Sequence, residues 1–170
     1  ILMVGSDETS RNLTWYVNHA EAGKVQVAKA ETPDNYKEYE ASVVLANDGS
    51  YANQVTITGL EANTKYIYKL VNGDTTSEAY SFETGTGTDF SFALVGDPQI
   101  GASGNAGSDA ENWGITLGVI ANTLKPDFLL SAGDQVNNAG SETEYDGYLN
   151  EILSGLASAT TVGNHDSGSE

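Results

Sequence analysis

The chain has 170 residues, 39% of them hydrophobic and 18% charged, which describes globular material long enough for one or two compact domains. Seven Lys and Arg stand against 24 Asp and Glu, for a net charge of −17, so phosphate backbones and anionic headgroups should be repelled and no nucleic-acid backbone binding is expected. The absence of Cys excludes disulfides and thiolate chemistry, and leaves any metal to oxygen ligands and to the two imidazoles, His19 and His165. No run of 18 apolar residues is available to span a bilayer, and Ile1 to Val4 lack the basic start and length of a signal peptide.

Hydrophobic period divides the chain at the run Gly85-Thr86-Gly87-Thr88-Asp89, giving one domain over residues 1–86 and a second over 87–170. Upstream, apolar residues alternate as in half-buried strands: Leu13, Trp15 and Val17; Val25 and Val27; Val55 and Ile57; Tyr66, Tyr68 and Leu70; Tyr80 and Phe82. Turn signals at Asn47-Asp48-Gly49, Glu61-Ala62-Asn63 and Asn72-Gly73-Asp74 separate them, at the spacing of an antiparallel sandwich of about seven strands. Thr14-Trp15-Tyr16, with Leu60, Thr64 and Tyr66 on a later strand, resembles the fibronectin type III sandwich. There a buried Trp fills the space between sheets, and a corner Tyr buries its ring while its hydroxyl meets the backbone. His19, between Asn18 and Ala20, reads as a surface turn residue.

Downstream the pattern is that of an α/β protein. A nearly continuous apolar run, Phe90 and Phe92 to Val95, predicts a buried strand. Trp113, Leu117, Ile120 and Leu124 share one helical face, behind a capping box of Ser108 and Glu111. Phe128 to Leu130 follow Pro126 as a second strand. A second helix starts at a box of Ser141 and Glu144 and buries Tyr145, Tyr148, Leu149, Ile152, Leu153 and Leu156. A third strand, Ala159 to Val162, completes a β-α-β-α-β order, the opening of a parallel sheet. The charge is uneven, −6 over residues 1–86 and −11 over 87–170. Such a surface is ordinarily just solvated, although carboxylates near strand ends also suit divalent or trivalent cations.

Each of these three strands runs into a Gly-led polar motif: Gly96-Asp97-Pro98-Gln99, Gly133-Asp134-Gln135-Val136-Asn137 and Gly163-Asn164-His165-Asp166. Residues just past the carboxyl ends of parallel strands open onto one edge, so Asp97, Asp134, Asn164 and His165 are expected to converge. The motifs resemble those of the calcineurin-like metallophosphoesterases, and with the sandwich in front the chain looks most like the purple acid phosphatases. The resemblance implies a multi-domain fold: a fibronectin type III-like N-terminal domain, then the first part of an α/β metallophosphoesterase four-layer sandwich. It also implies a phosphoric ester hydrolase with two divalent or trivalent ions (Fe, Mn or Zn) acting on a phosphate ester. Asp97 would bind the first ion, Asp134 would bridge both, and Asn164 would bind the second through its side-chain oxygen. His165 would stand by the substrate phosphate, stabilising the transition state or protonating the leaving group. A bridge needs two donor oxygens on one side chain, which Asp134 has, and the neutral Asn164 oxygen adds a ligand without charge that would repel phosphate.

Two departures stand out. The purple enzymes carry Tyr where this chain has Asn137, so no purple colour is expected. Many relatives carry His where it has Gln99, a neutral oxygen donor that leaves the first metal open. Gln99 and Asn137 are therefore either metal ligands or supports behind the ligands. The family completes its centre with three further His residues that have no counterpart here. The 170 residues are thus expected to be a piece of a longer enzyme, binding metal weakly or not at all and catalytically silent, with a sheet edge over residues 159 to 166 available for self-association. Two other classes stay open. One is a cell-surface carbohydrate- or protein-binding module with a degenerate phosphatase domain, which Gln99 and Asn137 favour slightly, and the other is a structural spacer. The acidic balance and the resemblance suit a secreted or wall-associated bacterial protein.

Overall fold

The structure, a computed structural model, describes residues 1–46 and 48–167. The chain divides into two compact units, Ile1–Phe90 and Ser91–Glu170. The division falls just past the Gly85 to Asp89 run. There the Thr86 hydroxyl accepts the Thr88 and Asp89 amides and folds the run into a compact turn.

The first unit is all β: β1 (Leu2–Val4), β2 (Arg11–Val17), β3 (Lys24–Lys29), β4 (Lys37–Glu40), β5 (Ser42–Leu45), β6 (Tyr51–Ile57), β7 (Lys65–Asn72), β8 (Thr75–Thr76) and β9 (Tyr80–Glu83). One sheet runs β1-β2-β6-β5 and the other β4-β3-β7, with β8 and β9 on β7, and every pair is antiparallel. The alternation is the one the sequence shows, with Leu13, Trp15, Val25, Val27, Val55, Ile57, Tyr66, Tyr68 and Phe82 all buried. Strands β4 and β5 carry no alternating apolar set and are largely exposed. Of the Asn47-Asp48-Gly49 signal, Asn47 lies outside the described residues, and Gly49 has a φ of +87°. His19 is exposed.

Two hydrogen bonds fix this core. Trp15 Nε1 on β2 donates to Asn72 Oδ1 at the end of β7 in the other sheet, 2.6 Å. The buried Tyr66 ring places its hydroxyl to accept the Glu61 N–H at 2.8 Å, the corner geometry that Leu60, Thr64 and Tyr66 predict. Stacking of Tyr66 on Phe82 at 5.5 Å holds the ring in place.

The second unit has the expected order. Strands β10 (Phe92–Val95), β11 (Phe128–Ser131) and β12 (Ser158–Thr160) form parallel pairs β10–β11 and β11–β12. Helix α1 (Ala106–Val119), prolonged by a π turn over Ile120–Leu124, links the first two strands. Helix α2 (Glu142–Tyr148) and a 3-10 turn (Glu151–Ser154) link the second pair, and a single turn α3 (Asn164–Ser167) follows β12. Trp113 of α1 stacks on Tyr148 of α2 at 5.6 Å and donates Nε1–H to the Tyr148 carbonyl.

Several local expectations are corrected. Helix α1 begins before Ser108: Asn105, not Ser108, is its cap, with Oδ1 accepting the Ser108 amide. Leu124 does not join the buried face of Trp113, Leu117 and Ile120 but is 64% exposed, because the π turn rotates it off the stripe. The second helix stops at Tyr148, where Asn150 takes an extended conformation and caps the next turn through Ile152 N. A short polar side chain competing with the backbone breaks what apolar spacing reads as one helix. Strand β10 is half-buried on one side and exposed on the other. Leu129 and Ser131 of the adjoining strand lie on the covered face, while Phe92 and Leu94 on the opposite one are 46% and 65% exposed. Of residues 159 to 166, only Ala159 and Thr160 are strand, and Val162 is 73% exposed beyond it.

The Ser141–Glu144 box forms by half. Ser141 Oγ accepts the Glu144 amide, but the Glu144 carboxylate takes the Asn137 and Asn138 N–H groups at 3.0 and 2.7 Å instead of turning back to Ser141. Asp109 in α1 does the same for the loop before it, with Oδ2 accepting the Gly101 and Ser103 amides. Hydrogen bonds from Ser103, its side chain foremost, and from the Gly101 amide hold the Asp109 carboxyl below the usual aspartate range.

Two outcomes follow from these contacts. Tyr66→Phe leaves the Glu61 amide without its acceptor and lowers stability by about 1 kcal/mol, read as a lower urea midpoint at unchanged slope. For Asp109 the depressed folded value means the loop anchor is present while the carboxylate is ionised and is lost as pH falls through that value. The Gly101 and Ser103 amide resonances should therefore titrate together with a midpoint below the usual aspartate value, and Asp109→Asn should abolish the transition.

Candidate functional site

The loops after β10, β11 and β12 leave the carboxyl ends of parallel strands and knit to one another through the backbone. Asp97 N donates to Gly133 O (3.2 Å), Gln99 N to Asp134 O (2.9 Å), Ile100 N to Gln135 O (3.1 Å) and Asn137 N back to Ile100 O (2.9 Å). The third loop lies directly against the second. A Cβ on Gly133, whose φ is +106°, would sit 2.7 Å from Gly163 N, and one on Gly163 would sit 2.5 Å from Asp134 N. Only glycine at these two positions allows the loops to touch.

Asp97, Gln99 and Asp134 have left-handed backbones, with φ of +52°, +42° and +52°. Each costs about 1 kcal/mol relative to an ordinary conformation. Such residues persist where surrounding bonds over-determine them, and here the loop-to-loop ladder supplies those bonds.

Asp166 is the knot between the second and third loops. Its Oδ1 accepts Gln135 N (2.8 Å) and Val136 N (3.3 Å), and its Oδ2 accepts Gly163 N (2.9 Å). Sequence reasoning assigned Asp166, Glu144 and Asp109 no role in the site, although each is an acid opening the helical turn that follows a rim loop. That position is the available signal. Gln135 is also buried, its amide donating to Ser131 Oγ and the Thr161 carbonyl.

Four of the six candidate residues are hydrogen-bonded together. His165 N donates to Asp134 Oδ1 at 3.0 Å. The His165 ring places Nδ1 2.8 Å from the Asn137 carbonyl and Nε2 3.2 Å from Gln99 Nε2, and Gln99 Nε2 also donates to Asn137 Oδ1 at 3.2 Å. All four are half-buried. Asp97 and Asn164 lie exposed on the same loops, Asp97 tied in through its amide and Asn164 as the first residue of α3.

As a cation site the set is partial. Two carboxylates and an amide supply hard oxygen donors suited to the first part of a metal centre. Among the described residues, however, no group of three or more His, Cys, Asp or Glu is arranged to hold an ion, and the His165 ring faces a carbonyl and an amide nitrogen. The donors present do not make a closed centre for Fe, Mn or Zn, which also favour imidazole. No helix among the described residues is long and apolar enough to cross a membrane.

The profile of the family described as Purple acid Phosphatase, N-terminal domain, matches residues 1–84. No curated protein matches the sequence. Among solved structures, a purple acid phosphatase isolated from yellow lupin (Lupinus luteus) seeds matches 96% of this chain with a TM-score of 0.77 at 18% identity. The chain spans 34% of that protein, and the likeness is one of fold. The sensor domain of an anti-sigma factor from Pseudobacteroides cellulosolvens is 24% identical over 52% of this chain and 88% of its own, with a TM-score of 0.39. Residues 1–84 match the purple acid phosphatase N-terminal domain, and the chain as a whole shares the fold of a purple acid phosphatase.

Proposed function

We propose that the chain is part of a metal-dependent phosphoric ester hydrolase of the acid phosphatase or phosphodiesterase type, and that these residues alone are catalytically silent. Residues 1–86 form its N-terminal domain and 87–170 the first part of its catalytic domain. The observation that carries this reading is the rim itself: three Gly-led loops, interlocked at the ends of three parallel strands, with left-handed backbone at Asp97, Gln99 and Asp134.

Asp97, Asp134 and Asn164 contribute the oxygen donors of a two-metal centre (Fe, Mn or Zn) whose remaining ligands come from outside these residues. When bound, such a centre supplies an activated water and neutralises charge on the phosphate. Asp134 would help hold the ions, and its carboxylate is oriented by the His165 amide on Oδ1. Asn164 keeps the exposed side of the rim neutral, which favours an incoming anion. His165 attends the substrate phosphate. The acidic balance suits a secreted or wall-associated setting.

A second reading, a carbohydrate- or protein-binding module with a degenerate phosphatase domain, is favoured by one observation: the neutral side-chain amides of Gln99 and Asn137 bond to each other, and that of Gln99 bonds to His165. One assay separates the two. The complete product of the gene should hydrolyse p-nitrophenyl phosphate only with Mn²⁺, Zn²⁺ or iron present, and Asp134→Ala should lower turnover by roughly a hundredfold or more. The 170-residue chain should give no turnover above the blank. Equal inactivity of the unsubstituted complete protein and Asp134→Ala, at any metal, rejects the enzyme in favour of the binding module.

A further inference from the structure

The first and second rim loops meet at the side chains of Gln99 and Asn137, positions where the sequence admits either ligands or supports. Their hydrogen bonds decide which. Gln99 Nε2, an NH₂ group with two protons, lies 3.2 Å from Asn137 Oδ1 and 3.2 Å from His165 Nε2. His165 Nδ1 lies 2.8 Å from the Asn137 carbonyl. A carbonyl only accepts, so Nδ1 carries the ring proton. An amide nitrogen only donates, so His165 Nε2 meets it as an unprotonated acceptor. Gln99 thus gives one N–H to each partner, and Asn137 holds the assembly from two sides, with its side chain on Gln99 and its backbone on His165.

From this geometry we infer that Gln99 and Asn137 are a paired positioning element, not metal ligands: they hold His165 in the Nδ1–H tautomer with Nε2 turned to Gln99. Nδ1 is committed to the Asn137 carbonyl and Nε2 to the Gln99 amide, so both ring nitrogens have their roles set by these two residues. The backbone supports the same conclusion. Gln99 is held at a φ of +42° while its amide donates to Asp134 O at 2.9 Å, so its side chain is directed by the second loop that presents Asp134. His165 is held through its own amide on Asp134, Nδ1 on Asn137 and Nε2 on Gln99. A partner on one ring nitrogen sets the state of the other, as for imidazoles oriented by a carbonyl or carboxylate behind them. The link to turnover rests on the phosphoesterase reading. The tautomer does not.

The test is nitrogen-15 NMR of the His165 ring in the chain, unsubstituted and as Gln99→Met, which keeps length and removes the donor. The unsubstituted ring should show one tautomer with the proton on Nδ1, and Gln99→Met should show a mixture of both. An Nε2–H ring in the unsubstituted chain, or a tautomer unmoved by Gln99→Met, overturns the inference. If Gln99→Met does not fold, Asn137→Ala serves, since it removes Oδ1 and retains the carbonyl; it should loosen the Gln99 amide and give the same mixture to a smaller extent. In the complete protein, Gln99→Met should lower kcat about tenfold, with KM and bound metal per chain unchanged. Loss of an ion with the substitution would make Gln99 a ligand and overturn the positioning role. A complete protein inert toward phosphate esters would defeat the phosphoesterase reading and leave the ring measurement to decide the tautomer.

Discussion

A carboxylate that accepts two backbone N–H groups makes charge-assisted bonds about twice as strong as neutral ones, and the loops at the rim of the second unit hang from three of them. Asp109 holds the segment after the first motif, Glu144 the segment after the second, and Asp166 ties the second loop to the third. Loops carry few bonds of their own, and three residues here sit in a costly left-handed conformation. These anchors add to the loop-to-loop backbone ladder that joins the segments carrying Asp97 and Asp134. The anchors lie in the helical turns, so the packing of Trp113 on Tyr148 between α1 and α2 reaches the rim through Asp109 and Glu144.

The excess of negative charge takes on a different meaning in that light. Residues 87–170 carry −11, which composition alone reads as a solvated surface with some capacity for cations. Asp109, Glu144 and Asp166 are instead each bonded to two or more main-chain amides, and Asp127 and Asp134 each accept one. Charge that helps to build the rim is not charge offered to a ligand, and the donors left to a cation are fewer than the count of Asp and Glu suggests. His165, which the resemblance sets beside the phosphate and not on a metal, has its ring engaged by Asn137 and Gln99.

Much of the fold is legible in the sequence where burial sets the period. The alternation from Leu13 to Phe82, the Tyr66 corner and the β-α-β-α-β order all depend on apolar side chains having one dry side to face. The illegible features are those decided by short polar side chains and by strand edges. Asn105 and Asn150 capture backbone amides and so shift a helix start and break a helix, which hydrophobic spacing cannot register. Strands β4 and β5 are largely exposed, and neither the polar β4 nor the unbroken apolar Val43 to Leu45 of β5 alternates, so they carry no periodic signal. Phe92 and Leu94 read as buried because an apolar run does not say which of its faces is covered. At the site, adjacency of the three motifs was legible from their place after parallel strands. The anchoring by Asp109, Glu144 and Asp166 was not, since an acid in the first helical turn has an ordinary explanation in the helix dipole.

The account rests on the rim gathering two carboxylates and an amide for a cation. Its most direct test is anomalous diffraction at the zinc edge from crystals of the complete protein grown with Zn²⁺. The account predicts anomalous density within about 2.2 Å of oxygens from Asp97, Asp134 and Asn164, with Asp134 shared between two ions. Zinc bound elsewhere, with these three side chains turned to different faces of the molecule, would contradict it.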